Sequence, residues 1–133
     1  MSAKRNWHKG SCHCGEVNFE CEITGEEEIR ECTCSICTKT ALIHLIMPNS
    51  RFKITKGKEN LTHYKFNQGI ADHMFCKTCG VKAFYMPRSN PDGWSVNARC
   101  LDEWGELPFK MVAPFDGKNW EQEKSIRHLS DED

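Results

Sequence analysis

Short runs of alternating apolar and polar residues predict most of the secondary structure of this chain. Val17, Phe19, Cys21 and Ile23 alternate with polar residues, which is the period of a strand with one buried face. Cys21 is therefore expected on the inner face of that strand. By the same criteria, strands are predicted at residues 16–23, 42–47, 52–55, 61–66, 73–75, 82–86 and 94–98.

Turn-forming residues separate these runs. The segments 48–50, 56–58, 67–69 and 89–93 are rich in Pro, Gly, Asn and Ser, and such punctuation between short strands favours a mainly β architecture. Helix is predicted only in short pieces. The sequence predicts one turn at 35–40, a short C-terminal helix at 120–129, and a frayed acidic end at 130–133.

Length and charge restrict the class of protein. The chain has 133 residues and a formal net charge of −1, which predicts a single domain over residues 1–133 with its core at about 8–120 and a tail at 121–133. Basic and acidic residues are spread evenly, so no overall field recruits nucleic acid or anionic lipid. No secretory leader or membrane span is evident. We expect a cytoplasmic protein with no membrane partner, and its strand edges permit a homodimer.

The cysteines add chemistry to this β-rich frame. The count of nine is odd, and a reducing compartment disfavours disulfides. Cys100, outside the clusters, is expected to be a packing residue like Cys21. Seven of the nine fall in three clusters: Cys12-x-Cys14, Cys32-x-Cys34-x-x-Cys37 and Cys76-x-x-Cys79.

Such spacing is typical of zinc ligands. A closed structural zinc takes four protein ligands, whereas a catalytic zinc takes three and keeps an open position. Seven thiols therefore predict two zinc ions, one of each kind.

The spacing also indicates how the thiols divide. The sulfurs of the triplet 32–37 can converge locally on one ion, whereas each outlying pair needs another pair. The simplest closed site joins Cys12 and Cys14 to Cys76 and Cys79, and a cross-link over so long a loop stabilises a small domain. Spacing alone also permits a division in which the triplet contributes to the closed site.

Three segments of the chain, 10–19, 32–39 and 75–80, carry these cysteines in order. Together they resemble the glutathione-dependent formaldehyde-activating enzyme family, which also contains centromere protein V. The resemblance runs from about Gly10 to Asp102, and segments 84–91 and 100–103 are more similar to the centromere protein V branch. It implies a zinc-binding, mainly β fold of the Mss4-like type.

The resemblance also implies an activity, that of an S-(hydroxymethyl)glutathione synthase. This carbon–sulfur lyase joins the thiol of glutathione to formaldehyde, so a thiol and an aldehyde are the implied partners and two Zn²⁺ per chain the implied cofactors. Matched position by position, the implied structural zinc ligands are Cys12, Cys14, Cys76 and Cys79. The implied catalytic set is Cys32, Cys34 and Cys37.

The chemistry of the residues agrees with this activity. A soft thiol substrate is a natural fourth zinc ligand, and coordination deprotonates it near neutral pH. Three cysteinates give the zinc site a net negative charge, so the ion polarises a carbonyl only weakly and aldehyde activation must come from another group.

Four residues are candidates for substrate contacts. Lys39 can offset the negative charge of the zinc site or bind a carboxylate of glutathione. His44, on a strand beside the triplet, can transfer a proton. Arg88 and Arg99 can bind a carboxylate through two hydrogen bonds. Each also has an ordinary structural interpretation, as a solvated surface residue or an outward polar position of a strand.

Two other classes of function remain open. One is a zinc enzyme that acts on another thiol or small electrophile, because a fold does not determine a substrate. The other is a non-catalytic, chromatin-associated module of the centromere protein V type, which would place the protein in the nucleus. The basic residues Lys4, Arg5 and Lys9 are too few for several phosphate contacts, so nucleic acid is not an expected partner.

Overall fold

The structure of the protein is a computed structural model that describes residues 4–66, 69–117 and 126–131. One α-helix, α1, spans Ser35–Thr40 in this part of the chain. The strands, in chain order from β1 to β10, are Asn6–Ser11, Asn18–Ile23, Glu28–Ile29, His44–Pro48, Phe52–Lys56, Leu61–Tyr64, Asp72–Cys76, Phe84–Met86, Gly93–Asn97 and Lys110–Met111.

These strands form two antiparallel sheets and a short parallel pair. The smaller sheet has the order β1-β2-β5, the larger has the order β4-β9-β8-β7-β6, and β3 pairs with β10. The connections of the larger sheet bring β4, from the first half of the chain, beside β9 from the second half. Strand pairs on this sheet therefore join residues that are far apart in sequence.

A cluster of aromatic rings holds the two sheets together. Phe19 and Phe52 extend from the smaller sheet, and Phe84 and Trp94 extend from the larger one. The ring centroids of Phe19 and Phe84 are 5.6 Å apart, and those of Phe52 and Trp94 are 4.5 Å apart. Phe19 and Phe84 are fully buried, so this contact forms the centre of the hydrophobic core.

The mainly β architecture confirms the prediction from the sequence. Every predicted strand has an observed counterpart in β2 or β4 to β9, and the predicted turn at 35–40 is α1. Three strands were predicted to begin two residues too early, since β2 begins at Asn18, β4 at His44 and β8 at Phe84. Cys21 is fully buried on β2, as the alternation predicted, and Cys100 packs against the core.

Strand β1 was missed by the sequence analysis. Its residues are mostly polar, and the burial does not alternate along the strand, so they carry no alternating pattern of apolar residues. The strand forms because its backbone pairs with β2 along its whole length, from Asn6 opposite Ile23 to Ser11 opposite Asn18. Gly10 permits this pairing, because a Cβ there would overlap the ring of Phe19. The two-residue strands β3 and β10 are too short for any periodic signal.

The C-terminal prediction needs a correction. Most of the predicted helix at 120–129 lies outside the described residues, and the described part is a 3₁₀ turn at Arg127–Ser130. Ser130 is not frayed, since it is almost completely buried and its hydroxyl donates to Asp92 Oδ1 at 2.6 Å. The Asn90 amide also donates to the Ile126 carbonyl at 2.9 Å. These polar contacts fix the segment to the loop after β8.

In the described part of the chain, no helix has the length and apolar character needed to cross a membrane.

We predict that Gly57→Ala destabilises the fold far more than Gly69→Ala. Both glycines have positive φ, 83° and 68°, but a Cβ at Gly57 would also overlap the backbone of Glu16, whereas a Cβ at Gly69 meets open space. Strain alone costs about 1–2 kcal/mol, and the added overlap raises the loss at Gly57 to about 3 kcal/mol or more. Urea unfolding of the two variants measures the difference; equal losses would contradict the close approach of the Gly57 loop to Glu16.

Candidate metal centres

Four cysteines from distant parts of the chain meet beside the smaller sheet. Cys12 and Cys14 lie in the turn after β1, while Cys76 ends β7 and Cys79 follows in the next turn. Their Sγ atoms all lie within 4.8 Å of one another, with 3.7 Å between Cys12 and Cys14 and 3.6 Å between Cys14 and Cys76. Tetrahedral zinc–sulfur bonds of about 2.3 Å place sulfurs about 3.8 Å apart. The four-cysteine cluster therefore has the donors and spacing of a closed zinc site.

Nitrogen donors surround this four-cysteine cluster. The Val17 amide donates to Cys12 Sγ at 3.3 Å, and the Asn60 side-chain amide donates to Cys76 Sγ at 3.4 Å. Hydrogen bonds of this kind stabilise thiolates and fix their orientation. Cys12 and Cys76 are buried and Cys14 is exposed, so the cluster lies at the edge of the core.

Cys32, Cys34 and Cys37 form a second cluster at the start of α1. Cys32 lies on a backbone bridge to Phe115, Cys34 is the N-cap of the helix, and Cys37 follows one turn later on the same side. The three Sγ atoms lie within 4.8 Å of one another. Cys37 is buried, whereas Cys32 and Cys34 are partly exposed. No fourth sulfur joins this three-cysteine cluster within the described residues.

The electrostatics of the three-cysteine cluster favour a cation. Hydrogen bonds from Cys32 and then Cys37 lower the pKa of the Cys34 thiol to about 2, and the hydrogen bond with Cys32 is the largest cause that raises the pKa of Cys37. Neighbouring thiols thus stabilise one thiolate, while further deprotonation is opposed by like charge. A soft divalent ion such as zinc removes this conflict.

The segment 115–117 closes over the three-cysteine cluster. The Thr33 amide donates to the Phe115 carbonyl at 3.0 Å, and Arg88 donates to the Gly117 carbonyl at 2.7 Å. Gly117 lies so close that a Cβ would overlap Cys32 Sγ. Only glycine fits here without displacing the sulfur.

Beside the three-cysteine cluster lies a cavity of about 460 Å³, within the usual size range of small-molecule sites. Cys32 and Cys34 line it together with several polar side chains, among them Arg30, His44, Tyr85 and Arg88. Its apolar surface comes from Ile36, Ile46, Phe66, Ile70, Phe115 and Ile126. The partly exposed thiols therefore face a chamber that can accept a small molecule.

A row of buried polar residues lies behind the thiols. The register of the larger sheet places His73 opposite Tyr85 and Tyr85 opposite Ser95 on neighbouring strands. The Tyr85 hydroxyl is 3.6 Å from Cys37 Sγ and 3.3 Å from His44 Nδ1, and Ser95 Oγ is 2.8 Å from the same Nδ1. This network links the three-cysteine cluster to the interior of the sheet.

Burial keeps the titratable members of this network uncharged. It raises the pKa of Tyr85 well above its usual value and lowers the pKa of His44 to about 4, with the nearby Lys82 charge also lowering the latter. At neutral pH the network therefore presents a phenol and a neutral imidazole.

Lys82 supplies positive charge behind the cluster. Its ammonium donates to His73 Nδ1 at 2.6 Å and lies 3.9 Å from the centroid of the Tyr85 ring. Burial lowers the pKa of Lys82 to about 8, while the negative charge of Cys37 and its neighbours opposes that shift. The lysine remains mostly charged near neutral pH and offsets part of the cluster's negative charge.

The structure separates the four candidates for substrate contacts. His44 and Arg88 line the cavity, and His44 is buried rather than an outward polar residue of its strand. Lys39 and Arg99 do not line it. Lys39 is exposed in the last turn of α1, and Arg99 lies 6.0 Å from the ring centroid of Trp104.

Among the site residues that the sequence did not identify are Tyr85, Lys82 and Gly117. Tyr85 and Lys82 were assigned only to a strand, although a lysine within an otherwise apolar run signals a buried charge. Gly117 carries no local signal, because its importance depends on contact with the distant Cys32.

Comparisons with known proteins agree with this geometry. The family model described as glutathione-dependent formaldehyde-activating enzyme matches residues 7–118, which include both cysteine clusters. A crystal structure of a Rhodobacter sphaeroides protein is similar with a TM-score of 0.67 and 38% sequence identity, covering 77% of this chain and 99% of that chain. On the sequence match and the mainly β fold, the chain belongs to the glutathione-dependent formaldehyde-activating enzyme family.

Proposed function

We propose that this protein is a zinc-dependent carbon–sulfur lyase of the S-(hydroxymethyl)glutathione synthase type, which joins the thiol of glutathione to formaldehyde. The observation that carries the proposal is the three-cysteine cluster, which is separate from the four-cysteine cluster and faces a cavity. Three protein sulfurs leave a coordination position for a substrate. Membership of the family supports the same chemistry.

The two clusters have different roles in this proposal. Cys12, Cys14, Cys76 and Cys79 hold a structural zinc that joins the turn after β1 to the end of β7. The catalytic zinc belongs to Cys32, Cys34 and Cys37, giving two Zn²⁺ per chain. When bound there, zinc would lower the pKa of an incoming thiol, so that the thiol ionises near neutral pH.

The cavity suits glutathione in its charge and size. Glutathione is a flexible tripeptide with two carboxylates, and Arg30 and Arg88 bring two guanidinium groups to the lining. Arg30 is also 3.2 Å from Glu28, which is mostly exposed, so that ion pair does not shield it fully from the cavity. The apolar lining excludes water from the reacting atoms.

The reaction balances without any further reagent. A carbon–sulfur bond forms between the thiol sulfur and the formaldehyde carbon, and the electron pair of the broken carbonyl π bond moves to the oxygen. The proton lost by the thiol balances the proton gained by that oxygen. Lys82 and the Tyr85 hydroxyl, which lie behind the cluster, stabilise the negative charge of the sulfurs during this exchange.

Exchange spectroscopy by NMR tests this function in the intact protein. We expect the zinc-loaded protein to accelerate the interconversion of glutathione and its formaldehyde adduct, and Cys34→Ser to abolish the acceleration. Cys100→Ser is the matched control, because Cys100 lies outside both clusters, and it should keep the wild-type rate. A wild-type protein that leaves the uncatalysed rate unchanged would refute the proposed function.

Two serine substitutions test the division between the metal sites. Cys34→Ser should remove one zinc and the activity but keep the folded β structure, because the aromatic core and the four-cysteine cluster remain. Cys76→Ser should unfold the domain, since zinc binding of about 10–16 kcal/mol in small domains is comparable with their whole stability. Metal analysis and circular dichroism measure both effects. Equal loss of structure in the two variants would contradict the assigned roles.

A further inference from the structure

We propose that His44, through a hydrogen on Nε2, donates a hydrogen bond to the aldehyde oxygen and stabilises the alkoxide formed when the thiol adds. This inference rests on the proposed function and names the group that activates the aldehyde. A zinc ion bound by three cysteinates polarises a carbonyl only weakly. The reaction therefore needs a hydrogen-bond donor for the aldehyde oxygen.

The first observation is a buried polar atom that has no hydrogen-bond partner. Within the described residues, His44 Nε2 is the buried side-chain nitrogen or oxygen that has no hydrogen-bond partner. Such an atom is costly to leave unpaired, and native structures keep few of them. His44 also lines the cavity next to the three-cysteine cluster. In our proposal, the oxygen of an aldehyde bound in the cavity is the partner that this nitrogen lacks.

The second observation is the contact of Ser95 with the other ring nitrogen. Ser95 is completely buried, and its hydroxyl has His44 Nδ1, at 2.8 Å, as its hydrogen-bond partner among the described residues. The hydroxyl hydrogen of Ser95 has an acceptor when it is donated to Nδ1. It would have no acceptor if Nδ1 instead donated its own hydrogen to the serine oxygen. Nδ1 is therefore the acceptor, and the neutral ring carries its hydrogen on Nε2.

Tyr85 is compatible with this tautomer. Its hydroxyl has one hydrogen, and Cys37 Sγ lies at 3.6 Å, where a thiolate can only accept. When Tyr85 donates to that sulfur, Nδ1 still receives the Ser95 hydrogen. When Tyr85 instead turns toward His44, at 3.3 Å, its hydroxyl competes with that of Ser95 for the one lone pair of Nδ1. In both orientations the hydrogen of the imidazole stays on Nε2.

In our proposal the two guanidinium groups of the cavity receive the substrate carboxylates, and each also has a partner within the protein, since Arg88 donates to the Gly117 carbonyl and Arg30 pairs with Glu28. The Tyr85 hydroxyl, which also lines the cavity, has Cys37 Sγ and His44 Nδ1 as its partners. A neutral imidazole also has an advantage over a cation, because it polarises a carbonyl without neutralising the thiolate that attacks it. The new bond joins the aldehyde carbon to the thiol sulfur. His44 donates a hydrogen bond to the oxygen that receives the π electron pair.

The kinetic test compares two substitutions at His44. His44→Leu removes the donor, whereas His44→Gln keeps an amide hydrogen near the position of Nε2. We expect His44→Leu to lower kcat about 10²–10³-fold, as for the loss of one oxyanion donor, with KM for glutathione and the zinc content unchanged. His44→Gln should retain most of the activity. A merely structural histidine would instead change stability or metal content and would give no difference in kcat between the two variants.

A second readout does not depend on activity. Long-range proton–nitrogen NMR correlations of the zinc-loaded wild-type protein report which imidazole nitrogen carries the hydrogen. We expect His44 to be protonated at Nε2, and Ser95→Ala to weaken this preference. An active wild-type protein with the hydrogen of His44 on Nδ1, or with unchanged kcat in His44→Leu, would overturn the inference alone. A wild-type protein that does not accelerate the exchange overturns the proposed function, and the role of His44 with it.

Discussion

Negative charge on clustered thiols is the constraint on which the arrangement of the site depends. Three sulfurs within 4.8 Å of one another cannot all ionise without a nearby cation. The fold places the buried Lys82 ammonium and the Tyr85 hydroxyl behind them and leaves Cys32 and Cys34 facing the cavity. Positive charge is thus supplied from the interior of the sheet and, in our proposal, by zinc, while the open side remains available to a substrate.

In our proposal the two clusters have separate roles, one structural and one catalytic. The four-cysteine cluster joins the turn after β1 to the end of β7, and hydrogen bonds to its sulfurs come from Val17 and Asn60. Strand β7 also carries His73, which contacts Lys82 and stacks on Tyr85 with ring centroids 4.9 Å apart. A zinc ion that fixes the end of β7 would therefore also fix the network behind the proposed catalytic thiols.

Much of the fold was predictable from the sequence, because alternation identifies strands and cysteine spacing identifies clusters. The network of buried polar residues beside the three-cysteine cluster was not predictable in this way. His73, Tyr85 and Ser95 form a row only because β7, β8 and β9 are neighbours in this register, and His44 joins them because β4 pairs with β9. Strand pairing is a long-range property that local patterns do not encode. For the same reason Lys39, two residues from a cysteine, was considered as a counter-charge, whereas Lys82 supplies it from a distant segment.

The central claim is that the three-cysteine cluster holds a metal with one position open to a thiol, while the four-cysteine cluster holds a closed one. Cadmium NMR of the cadmium-substituted protein tests it directly, because the chemical shift reports the number of sulfur ligands. The account predicts two resonances, one typical of four sulfurs and one of three, and saturating glutathione should move only the second into the four-sulfur range. Two four-sulfur resonances in the free protein, or a glutathione shift at the four-cysteine site, would contradict it.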